Sequence, residues 1–312
     1  MEGISLQDYL GGFQIKILTI GGTGMLGASL MLVETSHKMN GTYFGEKPQS
    51  KNMVELNIVD EDWVNKIIRK FNPDAIIHTA AITNVDICEQ KPDYARKVHV
   101  HGTKNLVQIA KEMDIYFLYI STDSVFDGSK GNYSENDKPN PLNIYAKTKY
   151  DGENVVLNYS NSSIIRTNIY GYNWLPKNSI AEWILDTLMK NKTINLFRDV
   201  FFSPILVNNL TEALIEIVER NLTGIYHIAC PEGVSKLNFG RKLAKIYELN
   251  EELINPISIS ELNLKAPRPL NPTLNCSKIQ RKIKTKLLNV REGLYSFKNI
   301  GISGYLEKLK AL

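Results

Sequence analysis

The chain has 312 residues, of which 43% are hydrophobic and 22% charged, and its net charge is +4. This length can bury a large core, as one big α/β unit or two modest domains. The basic residues are scattered, which argues against nucleic-acid binding, and no stretch is long and apolar enough to predict a membrane span. The three cysteines, Cys88, Cys230 and Cys276, have neither disulfide nor metal-ligand spacing, so we expect buried thiols and no metal site.

Residues 1–13 form an N-terminal extension that contains acidic residues and glycines. The extension has neither a basic start nor an apolar run, so the sequence predicts no secretion signal. We therefore expect a cytoplasmic protein.

Strands and helices alternate through the first half of the chain. Apolar runs predict strands, and apolar residues at helical spacing predict the helices between them. This alternation is typical of an α/β fold with a Rossmann-type, doubly wound parallel sheet. The predicted strands are 15–20, 41–44, 54–58, 75–81, 115–120 and 163–168, and the helices are 25–34, 62–71, 103–112 and one that contains Tyr145.

The pattern loosens after residue 170. Residues 179–190, 208–219 and 238–248 have helical spacing, and 224–229 reads as one more strand. We expect residues 171–312 to form mainly a smaller C-terminal α/β lobe that binds substrate, with the strand near 224–229 returning to the main sheet.

A glycine-rich turn follows the first strand. Gly21 permits a tight turn, Gly24 lets the backbone approach a pyrophosphate, and Gly27 lets the next helix pack closely on the sheet. The N-terminus of that helix attracts anions. Because the triplet lies between a strand and a helix, it predicts that residues 14–170 are an NAD(P)-binding domain.

The end of the second strand bears on the choice of coenzyme. An acid that would bind the adenosine 2′-hydroxyl is absent from residues 43–45, and Lys47 lies beside a late Glu46. A cation there favours the 2′-phosphate of NADPH, and NADH stays open as an alternative.

Tyr145 and Lys149 are one helical turn apart, so they share a helix face. We expect the lysine ammonium to lower the pKa of the phenol, which then transfers a proton to a substrate carbonyl as hydride reaches its carbon. Thr122 lies at the end of a buried strand, where open α/β sheets place ligands, and its hydroxyl can bond the same oxygen. The spacing by itself is a common accident on helix surfaces, and it gains its meaning from the glycine turn and Thr122.

On these motifs the sequence resembles the dTDP-4-dehydrorhamnose reductase family of the extended short-chain dehydrogenase/reductase superfamily. The resemblance covers nearly the whole chain from Ile15 onward, and it rests on several segments together. These are Gly21 to Gly27, His78 to Asp86 with Cys88 and Glu89, Ser121 to Gly128, Pro141 to Lys149 with Gly152 and Glu153, and Arg268 to Leu274.

The resemblance implies reduction of the 4-keto group of dTDP-4-dehydro-L-rhamnose to give dTDP-L-rhamnose. It implies that the catalytic residues are Thr122, Tyr145 and Lys149. It implies coenzyme contacts from Gly21, Thr23, Gly24, Met25, Leu26, Gly27, Asn57, Ile58, Ala80, Ala81, Thr83, Tyr145 and Lys149. Substrate contacts would come from Thr83, Val85, Thr122, Asp123, Tyr145 and Arg268, the last as a clamp for the diphosphate or as an ordinary surface arginine.

Three positions depart from the family pattern. Ser124 stands where a tyrosine is usual, and Asn168 with Ile169 stand where a tryptophan is common. Both changes remove aromatic surface on the substrate side, so they put the identity of the sugar in doubt. His99 replaces a usual asparagine, and we expect His99 and His101 to be structural histidines rather than metal ligands.

Two other functions stay open at this point. An epimerase or epimerase–reductase on another nucleotide sugar would use the same tyrosine without consuming NADPH in the same stoichiometry. The regulatory β subunit of methionine adenosyltransferase also resembles this family and acts by docking on a catalytic partner. We expect a nucleotide-sugar substrate, neither nucleic-acid nor membrane partners, and leave a homodimer open.

Overall fold

The computed structural model describes residues 14–175 and 178–312, so the predicted extension at 1–13 lies outside the described residues. Its main feature is a seven-stranded parallel sheet in the order β11-β6-β5-β4-β1-β2-β3. The strands are β1 (Lys16–Ile20), β2 (Lys38–Tyr43), β3 (Met53–Glu55), β4 (Ala75–His78), β5 (Tyr116–Thr122), β6 (Ser162–Thr167), β7 (Ile169–Tyr170), β8 (Ile194–Phe197), β9 (Phe201–Phe202), β10 (Ile205–Leu206), β11 (Gly224–His227), β12 (Val234–Ser235) and β13 (Ile254–Ile257).

Helices cover both faces of the sheet and build the rest of the molecule. A π-helical segment, Lys97–Gly102, leads into the fifth α-helix. The α-helices are α1 (Met25–Leu32), α2 (Glu61–Phe71), α3 (Val85–Gln90), α4 (Pro92–Arg96), α5 (Thr103–Glu112), α6 (Ile144–Val156), α7 (Ile180–Met189), α8 (Val207–Glu219), α9 (Lys236–Ile246), α10 (Ser277–Gln280), α11 (Val290–Ile302) and α12 (Tyr305–Lys310). Within the described ranges, no helix is long and apolar enough to cross a membrane.

The two faces of the sheet carry separate hydrophobic cores. Ile17 of β1 packs in the cluster that contains residues of α1 and α8. Leu18, the next residue, packs in the cluster that contains residues of α2, α5 and α6. Successive side chains of a strand point to opposite faces, so a strand covered on both sides must be apolar throughout. The predicted doubly wound parallel sheet is confirmed.

The strand order reverses direction at β1, which pairs with β2 on one side and β4 on the other. The carboxyl ends of β1 and β4 are level, since Ile20 pairs with His78. β5 continues beyond Tyr119, the partner of His78, and ends at Thr122. Ligands of open α/β sheets bind in the crevice at such a reversal. The glycine turn, the segment after β4 and the end of β5 all open onto this edge.

The second half of the chain contributes to both parts of the molecule. β11 pairs in parallel with β6, and α8 packs on the main sheet beside α1. A separate cluster, with Tyr170, Phe239 and Phe297 at its centre, holds α7, α9 and α11 together. A boundary near residue 170 stays a prediction.

Several element bounds differ from the predicted ones. α1 ends at Leu32 rather than at residue 34, β2 begins at Lys38, and β4 ends at His78 rather than at residue 81. The end of β4 has a local cause, because the Thr79 hydroxyl donates to the carbonyls of Ile20 and Gly21 at 2.9 and 3.1 Å. The chain after Thr79 is thereby released from the sheet and lines the crevice.

Candidate active site

Two glycines of the turn after β1 are sterically required. Gly21 has φ +90°, and a Cβ there would lie 2.9 Å from the backbone of Ala80. A Cβ on Gly27 would lie 2.0 Å from the carbonyl oxygen of Gly21. No side chain fits at either position without moving the backbone, so the turn holds β1, β4 and α1 in close contact.

Gly24 has a different environment. It is the N-cap of α1, it is exposed, and a Cβ built on it would meet its nearest heavy atom only at an ordinary 3.5 Å. Among the described residues, no side chain caps this helix and its first turn holds no carboxylate. Its free backbone N–H groups and the helix dipole suit a dinucleotide pyrophosphate, so the turn fits the group that its sequence predicts.

The other residues predicted to contact the coenzyme differ in how exposed they are. Thr23 and Met25 are partly buried, while Leu26 points into the core. Ile58 is buried against Gly102, whose Cβ would lie 2.6 Å from the isoleucine side chain. Ala80 and Ala81 are partly buried and Thr83 is exposed. Asn57, partly buried, accepts the backbone N–H of Val59 at 3.1 Å.

Helix α6 is anchored at its N-terminus by two distant parts of the chain. Asn143 is the N-cap of this helix. Its side-chain oxygen Oδ1 accepts the N–H of Ala146 at 2.9 Å, and its side-chain Nδ2 donates to Pro267 O at 2.8 Å. The carboxylate of Glu89, from α3, accepts the N–H of Ile144 at 3.0 Å. Side-chain caps fix where a helix begins, so these contacts fix the position of Tyr145 in the first turn.

Tyr145 contacts a histidine on one side and a threonine on the other. Its ring meets that of His99 edge to face, with centroids 5.9 Å apart. Burial raises the pKa of the Tyr145 phenol to about 12, while a hydrogen bond with Thr122 lowers it and the Asp123 charge raises it. The phenol is therefore protonated at neutral pH, and it lies beside the hydroxyl of Thr122.

Lys149 lies one turn further along α6 and is 3% exposed. Its ammonium donates to Ile120 O at 2.7 Å and lies 4.0 Å above the centre of the Tyr119 ring. Burial lowers the pKa of Lys149 to about 7, and the Glu153 charge raises it. The expectation that Lys149 lowers the Tyr145 pKa below its usual value is wrong for this structure, because burial and the Asp123 charge raise that pKa while the Lys149 ammonium bonds Ile120 O.

A buried ion pair lies beneath α6. Arg166 of β6 and Glu153 of α6 meet at 2.7 Å with side chains 2% and 0% exposed. Ser121 donates to the same carboxylate at 2.5 Å, and the guanidinium lies 5.2 Å from the Phe126 ring centre. This pair joins the helix to the strand that ends beside Thr122, and sequence spacing gave no signal for it.

His99 connects the π-helical segment to two parts of the site. The Ile82 N–H donates to His99 Nε2 at 2.9 Å, so the ring proton is on Nδ1, which lies 2.8 Å from Thr148 Oγ1. Thr148 in turn donates to Ile144 O at 2.8 Å. Burial lowers the pKa of His99 to about 3, so the ring stays neutral. His99 therefore has the structural role that the sequence predicts, since it connects α6 to the segment after β4.

Asp123, predicted to approach the substrate, is almost fully buried beside Thr122. Its carboxylate accepts the Asn168 amide at 2.7 Å and the hydroxyls of Thr122 and Ser124 at 3.2 Å. Burial raises the pKa of Asp123, and these bonds together with the Lys236 charge lower it. Ser124 and Asn168, two of the departures from the family pattern, therefore donate hydrogen bonds to this carboxylate.

Arg268 is partly buried and paired rather than free on the surface. Its guanidinium pairs with Asp86 at 3.0 Å and donates to Ala266 O at 3.1 Å. Val85, predicted to contact substrate, is partly buried beside Asp86 at the start of α3. The pair is 27% and 43% exposed, so solvent screens it.

Across residues 14–175 and 178–312, no three His, Cys, Asp or Glu side chains come together in a way that could hold a metal ion. The three cysteines are free and buried, and Cys88 Sγ donates to Ile82 O at 3.4 Å.

Comparisons with known proteins agree with this geometry. The family model described as RmlD substrate binding domain matches residues 15–300. The chain is 32% identical to methionine adenosyltransferase 2 subunit beta of Xenopus laevis, over 85% of this chain and 82% of that protein. It is 28% identical to the probable low-salt glycan biosynthesis reductase Agl14 of Haloferax volcanii, over 84% and 90%.

A solved structure adds the coenzyme to the comparison. The dTDP-4-dehydrorhamnose reductase of Bacillus anthracis, in complex with NADP, is 25% identical with a TM-score of 0.83 and covers 92% of this chain and 99% of its own. The likeness therefore extends over the sheet, the crevice and the second lobe alike. The chain belongs to the dTDP-4-dehydrorhamnose reductase family of extended short-chain dehydrogenase/reductases, and it is an oxidoreductase of the kind that uses a nicotinamide cofactor.

Proposed function

We propose that the protein uses NADPH to reduce the 4-keto group of a nucleotide-linked deoxysugar, most specifically dTDP-4-dehydro-L-rhamnose to dTDP-L-rhamnose. The observation that carries the proposal is the partly buried Tyr145 phenol in the first turn of α6, which is protonated at neutral pH and neighbours Thr122 at the end of β5. This pair lies at the sheet edge onto which the glycine turn also opens. The NADP complex of the Bacillus anthracis reductase supports the same coenzyme.

The reaction adds a hydride to the carbonyl carbon and a proton to its oxygen. When bound, the reduced nicotinamide supplies the hydride. Tyr145 gives its proton to the oxygen, and Thr122 donates a hydrogen bond to the same atom. Because burial keeps the phenol protonated, Tyr145 acts as an acid in the reductive direction.

Lys149 has a different task in this proposal. Its ammonium reaches Ile120 O at the end of β5, beneath the place where the coenzyme ribose would lie. We assign it to hold ribose hydroxyls, which fixes the face that the nicotinamide presents to the sugar. Thr83, Val85, Asp123 and Arg268 are assigned to the nucleotide sugar, and Lys47, exposed beyond β2, to the 2′-phosphate of NADPH.

The direct test is NADPH oxidation by purified protein with dTDP-, UDP- and GDP-linked 4-keto sugars. We expect one NADPH consumed for each molecule of a dTDP-linked substrate, with NADH a poorer donor. Absence of NADPH oxidation with every 4-keto sugar nucleotide would reject the reductase function.

A second candidate is a regulatory subunit that binds a methionine adenosyltransferase, and the 32% identity to such a subunit favours it. In that case the protein would co-purify with the catalytic partner and change its kinetics, without oxidising NADPH. A third candidate, an epimerase on a nucleotide sugar, would isomerise its substrate with no net NADPH consumption. NADPH oxidation therefore separates the reductase from the other two candidates, and co-purification with a methionine adenosyltransferase or isomerisation of a nucleotide sugar separates those two from each other.

A further inference from the structure

We propose that Lys236, together with Asp123, binds the sugar hydroxyl next to the keto carbon and so helps to set which sugar is reduced. The inference rests on the proposed function, and it deepens it by naming a residue that the motifs did not include. Lys236 is 113 positions from Asp123 in the sequence. Asn168 connects their surroundings, because its amide donates to Asp123 at 2.7 Å and its backbone carbonyl accepts the N–H of Ile205, three residues beyond Phe202, at 2.9 Å.

The ammonium of Lys236 lies in an apolar setting with unused donors. It is 3.6 Å above the ring centre of Phe202, which is 1% exposed. Among the residues that the structure describes, its Nζ forms neither a hydrogen bond nor a salt bridge, although the residue is partly buried. Burial lowers the pKa of Lys236 to about 8, and the Asp123 charge raises it. A partly buried ammonium with three N–H groups and only a ring for a partner is costly unless a ligand supplies acceptors.

The carboxylate of Asp123 carries the charge that acts on this ammonium. Each charge affects the pKa of the other, yet they are farther apart than the 4.0 Å of an ion pair. A hydroxyl group can donate to a carboxylate and accept from an ammonium at the same time. A sugar hydroxyl between the two groups would therefore donate a hydrogen bond to the Asp123 carboxylate and accept one from the Lys236 ammonium.

The position of the pair identifies which hydroxyl is bound. Asp123 directly follows Thr122, and its charge raises the pKa of Tyr145. Asp123 would therefore lie beside the substrate carbonyl that Thr122 and Tyr145 polarise. In a 4-keto pyranose, one neighbour of the keto carbon carries the 3-hydroxyl and the other carries the ring oxygen. The 3-hydroxyl is therefore the group that Asp123 and Lys236 reach.

The second lobe holds Lys236 in place. Ser235 caps α9 and accepts the N–H of Asn238 at 3.1 Å, while Lys236 N donates to Val200 O at 2.9 Å. β12 pairs with β9, and this pairing places the Phe202 ring beneath the Lys236 ammonium.

The test compares Lys236→Met with Lys245→Met, a matched loss of one exposed lysine on the same helix. With the substrate that carries the 3-hydroxyl, we expect Lys236→Met to raise KM about 10- to 100-fold, the effect of losing a charged hydrogen bond. We expect kcat to stay within about threefold of the wild-type value. Affinity for dTDP, which lacks the sugar, should stay unchanged in both variants. With a 3-deoxy-4-keto substrate, the KM of Lys236→Met should equal that of the wild type.

The outcomes separate the inference from the proposed function. If the wild type turns over and Lys236→Met behaves like Lys245→Met, the inference fails and the reductase stands. If the wild type oxidises no NADPH, calorimetric titrations with dTDP-L-rhamnose and dTDP decide. A sugar-dependent gain in affinity that Lys236→Met removes supports the inference without the reductase, and an equal gain in both proteins overturns it.

Discussion

At the scale of single residues, the proposed reduction depends on the proton of Tyr145. We predict that Tyr145→Phe lowers turnover by about two to four orders of magnitude, because loss of a positioned acid costs about that much. The NADPH dissociation constant should change little, since the ring and its edge contact with His99 remain. Steady-state kinetics and a fluorescence titration measure both quantities, and near-normal turnover would reject Tyr145 as the donor.

Lys149 gives a prediction in pH. Burial lowers its pKa to about 7, so the ammonium form is lost as pH rises through about 7. If the ammonium holds the ribose, NADPH affinity should fall between about pH 6.5 and about 8.5, and in Lys149→Met it should be lower but flat. Burial lowers the pKa of His99 and of His227 to about 3, so neither titrates in this window. An equal slope in the variant would show that another group is responsible.

At the scale of elements, the glycine turn allows a matched pair of substitutions. Gly24→Val should fold normally, because its Cβ has room, yet it should abolish NADPH binding by filling the space above the helix N-terminus. Gly27→Ala should instead destabilise the protein, since its Cβ would lie 2.0 Å from Gly21 O. Thermal unfolding and an NADPH titration of both variants check this. Normal NADPH binding by Gly24→Val would refute the placement of the pyrophosphate.

The elements also show what a single sequence can predict. Continuous apolar strands, the glycine spacing and the helix face shared by Tyr145 and Lys149 are local patterns, and the structure has the expected sheet and crevice. The end of β4 was missed because it depends on hydroxyl bonds from Thr79 to another strand. The Arg166–Glu153 pair and the approach of Lys236 to Asp123 join distant segments, and no periodicity records such contacts.

At the scale of the whole molecule, the buried pair of Arg166 and Glu153 links the sheet to α6. We predict that Arg166→Met lowers the free energy of unfolding by about 3–5 kcal/mol, because it leaves a carboxylate buried without its cation. Urea unfolding measures the loss, and Arg166→Met with Glu153→Gln should recover part of it. A loss below about 1 kcal/mol would mean that solvent or another group compensates the carboxylate.

The two lobes meet where the chemistry is proposed to occur. Asn143 of α6 bonds Pro267, and Phe201 of β9 bonds Leu270 O at 2.7 Å, so the segment around Arg268 joins the catalytic helix to the second lobe. The sheet would supply the coenzyme site, and the lobe would supply Lys236 and Phe202. The proposed reaction therefore needs both halves of the chain.

The most direct measurement follows the hydride itself. NADPH carrying deuterium on the transferring position of the nicotinamide is mixed with dTDP-4-dehydro-L-rhamnose and the protein, and the product is examined by mass spectrometry and NMR. We predict one deuterium at carbon 4 of the sugar for each NADPH oxidised. Tyr145→Phe should form almost no labelled sugar in the same time. A sugar recovered without deuterium, or labelled at another carbon, would contradict the account.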